Sequence, residues 1–203
     1  MDSKRAFDLV VGSLALAAAA PILAGVAAAM RLSRDRGAFL HRARRMGEGG
    51  RIIVVLKIRT MAVDSGGSPL TASDDPRVTR LGRTLRRYRI DELPQLVNVV
   101  RGEMSMVGPR PEDPAFVDLA DALHRKVFTA KPGITGLAQL QYHAEAALLE
   151  GPDAEERYRA EILPAKLRLD AEYLDHRSVW LDLRILLRTV GTVLGRRSAR
   201  ARG

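Results

Sequence analysis

The stretch RIDELPQLVNVVRGEMSMVGPRP, residues 89–111, decides what architecture is expected for the middle of this chain. Asp91 is a candidate N-cap for a short helix that Gly102 would end. Two glycines and two prolines then surround Arg110, which predicts a rigid loop that aims one guanidinium group at a phosphate. The adjacent carboxylates of Asp91 and Glu92 and this loop together make the stretch the candidate functional segment.

The residues before this segment predict a strand, a loop and a basic helix. RIIVVLKIRTM, residues 51–61, is β-branched and apolar and then basic, which is typical of a strand that ends at a functional edge. Residues 62–76 gather Gly, Ser, Pro and Asp and predict a long loop. Arginines then recur at three- or four-residue spacing, which predicts one face of a short helix: Arg77, Arg80, Arg83 and Arg87. This face is either solvated or part of the site that follows.

The residues after the segment predict a second turn and a helical C-terminal third. KPGITGLAQL, residues 131–140, offers backbone N–H groups to an anion but does not match a phosphate-binding P-loop. Pro164 is expected to kink or divide the next helical pattern. Residues 178–194 predict a helix that starts at Ser178 and carries an apolar stripe, made of Val179, Trp180, Leu183, Leu186, Leu187, Val190 and Leu194. That stripe suits either a core-facing helix or one lying in a membrane interface.

An apolar run near the N-terminus, LALAAAAPILAGVAAAM at residues 14–30, has three interpretations. It resembles a secretory signal, a single transmembrane helix, and a segment that enters the membrane and returns on the same side. Pro21 removes a helix hydrogen bond and favours a bend near the middle of the run. Cations flank both ends, at Lys4 and Arg5 before the run and at Arg31, Arg34 and Arg36 after it. Charge on both flanks favours two ends on one side of the membrane.

The composition limits the classes of partner and of chemistry. The 203 residues allow one domain of ordinary size plus an appendage. The net charge of +9 favours phosphate-rich partners, including anionic lipid at a basic tail formed by Arg196, Arg197, Arg200 and Arg202. Aromatic residues make up only 4 %, too few for a base-stacking surface. The absence of cysteine excludes disulfides, thiol catalysis and thiolate metal sites.

Five motifs in a fixed order resemble one protein family. They are KRAFDLVVGSLALAAAAPIL, LKIRTM, the block DPRVTRLGRTLRRYRIDELPQLVNVVRGEMSMVGPRP, KPGITGLAQL and LDAEYLDHRSVWLDLRILLRTV. Together they resemble a bacterial sugar transferase of the monotopic phosphoglycosyl transferase family, in its small catalytic-domain form. The resemblance implies a mainly helical α+β fold. Residues 1–36 would form a re-entrant membrane helix, and residues 37–203 a cytoplasmic catalytic domain that rests on the membrane through amphipathic helices.

The resemblance also implies an activity and a location. Members move a phospho-sugar from a UDP-sugar to polyprenyl (undecaprenyl) phosphate, release UMP, and so begin lipid-linked glycan synthesis. The expected location is the cytoplasmic face of the bacterial inner membrane, where anionic lipid and downstream glycosyltransferases are partners. A homodimer is compatible with this arrangement, and nucleic acid is not an expected partner.

The family's functional residues fall on specific positions of this chain. The resemblance makes Asp91 the nucleophile, Glu92 the second member of a catalytic pair, and both of them ligands of Mg²⁺. It places the family's substrate- and phosphate-binding positions on Lys57, Pro109, Arg110 and Asp170. Arg59, Arg87 and Arg89 are further candidate phosphate-binding residues, because the diphosphate needs additional positive charge. A carboxylate that attacks first would divide the transfer into two steps through an acyl phosphate.

Three departures from the family's pattern leave some properties undetermined. Ala20 replaces the serine before Pro21, and Ala43 stands where glutamine is usual. LQYHAEAALL at residues 140–149 replaces the usual asparagine-glycine-arginine continuation, so residues 141–149 leave the donor sugar open. Two other classes, a membrane-surface adaptor and a basic nucleic-acid-binding protein, would leave Asp91 without a chemical role. Release of UMP that depends on Asp91 would exclude both.

Overall fold

The computed structural model describes residues 2–32, 37–63, 66–67, 70–72, 74–142, 145–151 and 153–200. Outside this description lie Arg34, Arg36 and Arg202, and the side chains of Leu194, Arg196, Arg197 and Arg200. The elements are α1 Ser3–Leu32, β1 Leu40–Met46, β2 Ile52–Ile58, α2 Arg80–Arg87, α3 Gln95–Arg101, β3 Ser105–Val107, α4 Ala122–Val127, β4 Gly133–Thr135, α5 Leu137–Gln141, α6 Glu145–Leu148, α7 Ala154–Arg157, α8 Leu163–His176 and α9 Val179–Arg200. The mainly helical α+β class is confirmed.

Two small sheets organise the domain. β1 and β2 form an antiparallel hairpin in which His41 lies opposite Lys57, and β2 confirms the strand predicted within residues 51–61. β3 and β4 pair in parallel, with Ser105 opposite Gly133. α3 lies between the hairpin and β3, and its buried Leu96 and Val99 join Val55 in the main hydrophobic cluster.

The apolar N-terminal helix α1 packs on this domain along its length. It runs without interruption through Pro21, so the bend expected at that residue stays a prediction. Within the described part of the chain it is the one helix long and apolar enough to cross a membrane. Ala19 packs into the main cluster, and Met30, farther along, packs against Ile58 and Leu85 in a second cluster.

A network of two buried carboxylates and two partly buried cations holds the start of α1. Lys4 Nζ lies 2.6 Å from Asp182 Oδ2 of α9 and donates to the Val107 carbonyl of β3 at 3.0 Å. Asp8 is buried and accepts hydrogen bonds from the Ser105 hydroxyl and from a backbone N–H of β3. Arg5 donates to two carbonyls at the end of α3. The cationic N-terminal flank of the apolar run therefore contacts protein in this fold.

The basic helix begins later than its arginine spacing predicts. Thr79 caps α2 by accepting from the Gly82 N–H at 2.9 Å, so Arg77 lies before the helix and the prediction that it shares the helical face is wrong. Arg77 instead pairs with Asp75 at 2.6 Å. Gly82 packs directly on the Thr60 carbonyl, where a side chain would clash, and this contact fixes α2 against the end of β2.

The start of α3 also differs from expectation. Asp91 does not cap this helix, because it lies inside a 3₁₀ turn, Ile90–Glu92, and Pro94 occupies the cap position of α3. The carboxylate of Asp91 is thereby left available for another role. The predicted end is confirmed, since Gly102 closes α3 with φ 85°.

The C-terminal third contains the expected interruption and the expected start. A π-helical segment, Tyr158–Ile162, separates α7 from α8, and Pro164 stands in the first turn of α8, where proline is tolerated. Ser178 caps α9 by accepting from the Leu181 N–H at 3.2 Å. Most of the predicted apolar stripe is exposed, at Val179, Trp180, Leu183, Leu187 and Val190. The core-facing side of α9 instead buries Asp182 and Ile185, while Leu186 packs partly against the core.

Candidate functional site

A cavity of about 1870 Å³ lies between the β1–β2 hairpin, the α2–α3 junction, the loop after β3, helices α5 and α6, and the start of the π-helical segment. The charged residues that line it include Lys57, Arg59, Arg86, Arg89, Arg110, Asp91, Glu92, Glu112 and Glu145, and the hairpin adds Arg42, Arg44 and Arg45. Two adjacent carboxylates among several cations are the groups that phosphate chemistry requires. Lys57, Arg59, Arg89 and Arg110 of the predicted set are thus brought together with Asp91 and Glu92.

The backbone before the carboxylate pair is strained. Arg89 has φ 53° and ψ 25°, the only left-handed non-glycine residue in the part of the chain that the structure describes. Such a conformation costs about 1–2 kcal/mol for a residue with a side chain. Arg89 lies between α2 and the 3₁₀ turn that carries Asp91 and Glu92. The strained residue is therefore next to the two carboxylates that line the cavity.

Glu92 is held by two cations. Lys57 Nζ lies 3.3 Å from its Oε1, and Arg89 donates to its Oε2 at 3.0 Å. Burial alone would raise the pKa of Glu92, but the charges of Lys57, Arg89 and Arg110 lower it to about 2. Glu92 is therefore a fixed negative charge at every physiological pH.

Asp91 is in the opposite electrostatic situation. It is 8 % exposed, and burial followed by the charge of Glu92 raises its pKa to about 6. Lys57 and Arg86 oppose that rise. A carboxylate whose pKa is raised is more basic and a better nucleophile once it is ionised, and at pH 7 it is mostly ionised.

Sequence reasoning missed Arg86 and selected its neighbour. Arg86 lines the cavity and donates from Nε to the Thr60 hydroxyl at 2.8 Å, whereas Arg87 is exposed and is not among the described residues that line the cavity. Arg86 follows Gly82 by four residues, so both lie on the face of α2 that packs on Thr60. The glycine was the signal in the sequence that this face approaches the site.

The loop that carries Arg110 is fixed from three sides. Gly108 donates to the Thr135 carbonyl at 3.0 Å, and Gly133 donates to the carbonyl of the buried Pro109 at 2.8 Å, which joins the two glycine-containing turns found in the sequence. Asp170 accepts from the Arg110 backbone N–H at 3.1 Å. Asp170 is buried and is not one of the described cavity-lining residues, so it positions Arg110 from behind. Burial raises the pKa of Asp170 to about 7.

Arg59 lies at the cavity wall with part of its guanidinium bonded to the protein backbone. Its Nε donates to the Ala38 carbonyl and its NH1 to the Met61 carbonyl, each at 2.9 Å. These bonds tie the residues before β1 to the residues after β2. Phosphate binding by Arg59 stays a prediction.

The carboxylate oxygens of the cavity fit a hard divalent cation whose remaining ligands come from the phosphates of a substrate. No group of three or more His, Asp or Glu residues in the described ranges could hold a metal by itself. The oxygens of Asp91 and Glu92 nevertheless line the same cavity. Mg²⁺ is commonly held by one or two carboxylates plus substrate phosphates, so this pair is chemically adequate for it.

Comparison with known proteins identifies the family. The bacterial sugar transferase family matches residues 2–196. The chain belongs to the bacterial sugar transferase family. It is 40 % identical over 208 residues to the undecaprenyl-phosphate glucose phosphotransferase of Komagataeibacter xylinus, covering 98 % of this chain and 37 % of that protein. It is 40 % identical over 196 residues to the UDP-glucose:undecaprenyl-phosphate glucose-1-phosphate transferase of Caulobacter vibrioides, covering 94 % of this chain and 69 % of that protein.

The relatives differ in length and in the sugar that their names give. A third relative, the UDP-N-acetylgalactosamine-undecaprenyl-phosphate N-acetylgalactosaminephosphotransferase of Aeromonas hydrophila, is 34 % identical over 94 % of this chain and 43 % of its own length. The chain thus spans less than half of two of these three proteins. Since the names include glucose and N-acetylgalactosamine, family membership does not determine the donor sugar.

Proposed function

We propose that this protein transfers a phospho-sugar from a UDP-sugar to undecaprenyl phosphate and releases UMP, as the first step of lipid-linked glycan synthesis. The observation that carries the proposal is the pair of buried Asp91 and partly buried Glu92 on the wall of a cavity that also presents Lys57, Arg86 and Arg110. The names of the relatives support the substrate classes. A diphosphate needs several cations to bind, and this wall supplies them.

The transfer proceeds in two displacements at one phosphorus atom. A carboxylate oxygen of Asp91 attacks the β-phosphorus of the donor, the bond from that phosphorus to the oxygen bridging the two phosphates breaks, and UMP leaves with the bonding electrons. A phosphate oxygen of the lipid then attacks the same phosphorus and the Asp91 carboxylate leaves. One phosphoanhydride is exchanged for another, so no further energy source is needed. The raised pKa of Asp91 favours the first attack.

The other charged residues bind and orient the diphosphate. Lys57 and Arg89 neutralise Glu92 in the free protein and are partly exposed, so they can turn toward the phosphates of a substrate. Arg110 is held by its backbone, which leaves its guanidinium for the phosphate oxygens. Asp91 and Glu92 would hold Mg²⁺, which when bound neutralises the diphosphate and favours in-line attack.

Release of UMP from a panel of UDP-sugars, with undecaprenyl phosphate as acceptor, tests this function. Turnover is expected with at least one donor and only with the acceptor present in excess, and EDTA should abolish it until Mg²⁺ is restored. Full activity in excess EDTA would show that the cations of the protein alone carry the phosphate charge. No UMP release from any UDP-sugar would contradict the proposed function.

We also propose that α1 enters the cytoplasmic leaflet of the bacterial inner membrane and returns to the same face. Lys4, near its start, bonds α9, and Met30, near its end, packs on β2, so both ends contact the same domain. A straight crossing would require one of these ends to leave the domain. Exposed apolar side chains on α1 and α9 supply surfaces for lipid, among them Val10, Leu14, Ile22, Trp180 and Leu187.

Labelling of an introduced cysteine tests this topology, because the chain has no native cysteine. Ser3→Cys should be protected from a membrane-impermeant maleimide in spheroplasts until the membrane is opened. Adding Pro21→Leu removes the residue expected to bend α1 and should expose a measurable fraction. Strong labelling from outside without the Pro21 change would show that the helix already spans.

A further inference from the structure

Beyond Arg110, the cavity wall contains a cluster that the transfer chemistry does not use. Its centre is Lys166, which is 1 % exposed. The Nζ atom lies 2.9 Å from the Tyr158 hydroxyl, 3.1 Å from Glu145 Oε1, and 2.8 Å from Glu112 Oε1 in an ion pair without hydrogen-bond geometry. Three short contacts fix this ammonium group and the two carboxylates around it.

Two carboxylate oxygens of the cluster accept no hydrogen bond from a described residue: Glu112 Oε1, which is buried and ion-paired with Lys166, and Glu145 Oε2. Tyr158 donates to Glu112 Oε2 at 2.7 Å while its oxygen accepts from Lys166. Glu145 accepts from Lys166 through Oε1 only, and among the described residues no group donates to its Oε2. Because Glu145 lines the cavity, this second oxygen is an anchored acceptor available to a bound molecule.

The charges of the cluster are linked to the phosphate-binding residue. Arg110 Nε lies 4.0 Å from Glu112 Oε1. Burial alone would lower the pKa of Arg110, but the carboxylates of Glu145, Glu112 and Glu92 raise it. The positive charge of Arg110 is therefore stabilised by Glu112 and Glu145 of this cluster as well as by Glu92. Arg110 and Glu145 line the same cavity, so a donor whose diphosphate contacts Arg110 has its rings in the cavity that Glu145 also lines.

We infer that Glu145 accepts hydrogen bonds from adjacent hydroxyl groups on a ring of the donor substrate, while buried Lys166 holds its carboxylate in place. This inference rests on the proposed function. A carboxylate accepts strongly from hydroxyl groups when it is desolvated, and both the ribose and the hexose of a UDP-hexose carry such groups. Glu145 lies in residues 141–149, where the chain departs from the family's pattern. The resemblance to the family therefore does not imply this contact.

Kinetics of Glu145→Gln test the inference. The amide keeps an oxygen for Lys166 but removes the charge, and loss of a charged hydrogen bond should raise the KM for the UDP-hexose about 10-fold or more. The kcat and the KM for undecaprenyl phosphate should change less than about 2-fold, a split that a purely structural role would not produce. Glu155→Gln is the matched control, because Glu155 forms an ion pair with Arg159 and is not among the described cavity-lining residues.

Inhibition by UDP distinguishes the two sources of hydroxyl groups. An equal loss of UDP affinity in Glu145→Gln would assign the contact to the ribose, and unchanged UDP affinity would assign it to the hexose. An unchanged donor KM in an active Glu145→Gln protein would overturn the inference and leave the proposed function intact. A parallel loss of donor affinity, acceptor affinity and thermal stability would also overturn it, because Glu145 would then be only structural. A wild-type protein inactive with every UDP-sugar would instead overturn the proposed function.

Discussion

The two carboxylate pairs of the cavity wall are neutralised in different ways. Glu92, beside Asp91, is paired with Lys57 and Arg89, whose side chains are 25 % and 27 % exposed. Glu112 and Glu145 share one lysine whose side chain is only 2 % exposed. Partly exposed cations can turn toward a substrate, whereas a buried ammonium group cannot move without leaving charge uncompensated. The arrangement of the first pair suits the proposed reaction, and that of the second suits a fixed shape.

Removal of the Asp91 carboxylate should reduce activity far more than removal of a carboxylate from the second pair, and this is the largest expected difference between the pairs. Asp91→Asn is expected to reduce turnover about 10³-fold or more and to abolish a phospho-sugar adduct on the intact protein, since the amide is not a nucleophile. Glu112→Gln should retain adduct formation, because Glu112 contacts Tyr158 and Lys166 and takes no part in the displacement. Mass spectrometry of protein incubated with donor alone measures the adduct.

Two results would change this assignment. Near-normal transfer by Asp91→Asn would contradict the nucleophile, and an adduct on Glu92 would reverse the two roles. The melting temperature of Asp91→Asn should stay within a few degrees of the wild type, because Asp91 does not cap α3.

Replacement of the two lysines should separate stability from activity. Lys166→Met leaves two carboxylates without their buried cation and should lower the free energy of unfolding by about 3–5 kcal/mol. Lys57→Met should lower it by about 1 kcal/mol or less, because the pair with Glu92 is partly exposed, but should reduce turnover strongly. Thermal or denaturant unfolding in nanodiscs, alongside UMP release, measures both effects. Unchanged stability in Lys166→Met would contradict the fixed role given to the second pair.

The sequence predicted the reactive region better than the fixed one. Asp91, Glu92 and Arg110 lie within one short stretch, and Lys57 lies near the end of a recognisable strand, so pattern and family resemblance predicted all four as site residues. The structure brings them to one cavity wall, and their chemical roles stay predictions. The selection of Arg87 instead of Arg86 had a local cause. The phase of α2 depends on the contact between Gly82 and the Thr60 carbonyl, which arginine spacing does not report.

The cluster around Lys166 could not be predicted in this way. Its members, Glu112, Glu145, Tyr158 and Lys166, come from a loop, α6, the π-helical segment and α8. Each of them has an ordinary explanation as a solvated or packed residue on its own element. Only the folding of α8 beneath the loop after β3 buries the lysine and makes its partners necessary, so the signal exists only in three dimensions.

The smallest expected effect is on the pH dependence of the first half-reaction. It distinguishes the two carboxylate pairs, because only the first pair contains the group whose protonation should reduce activity. The pKa of Asp91 is raised to about 6 by burial and by Glu92, and the reactive form is the carboxylate. Protonation therefore removes activity as pH falls through about 6, and kcat/KM for the donor should decrease about tenfold between pH 7 and pH 5 and level off above pH 7. Because this ratio reports the step before the acceptor binds, titration of the lipid phosphate does not contribute to it. Arg86→Gln removes a cation that lowers this pKa and should move the inflection upward. Glu112→Gln should leave the inflection in place, because the charges that shift the pKa of Asp91 are those of Glu92, Lys57 and Arg86. An inflection near pH 4 would show that the pKa of Asp91 is not raised in the active protein, and one that moves with Glu112 and not with Arg86 would show that Asp91 is not the titrating group.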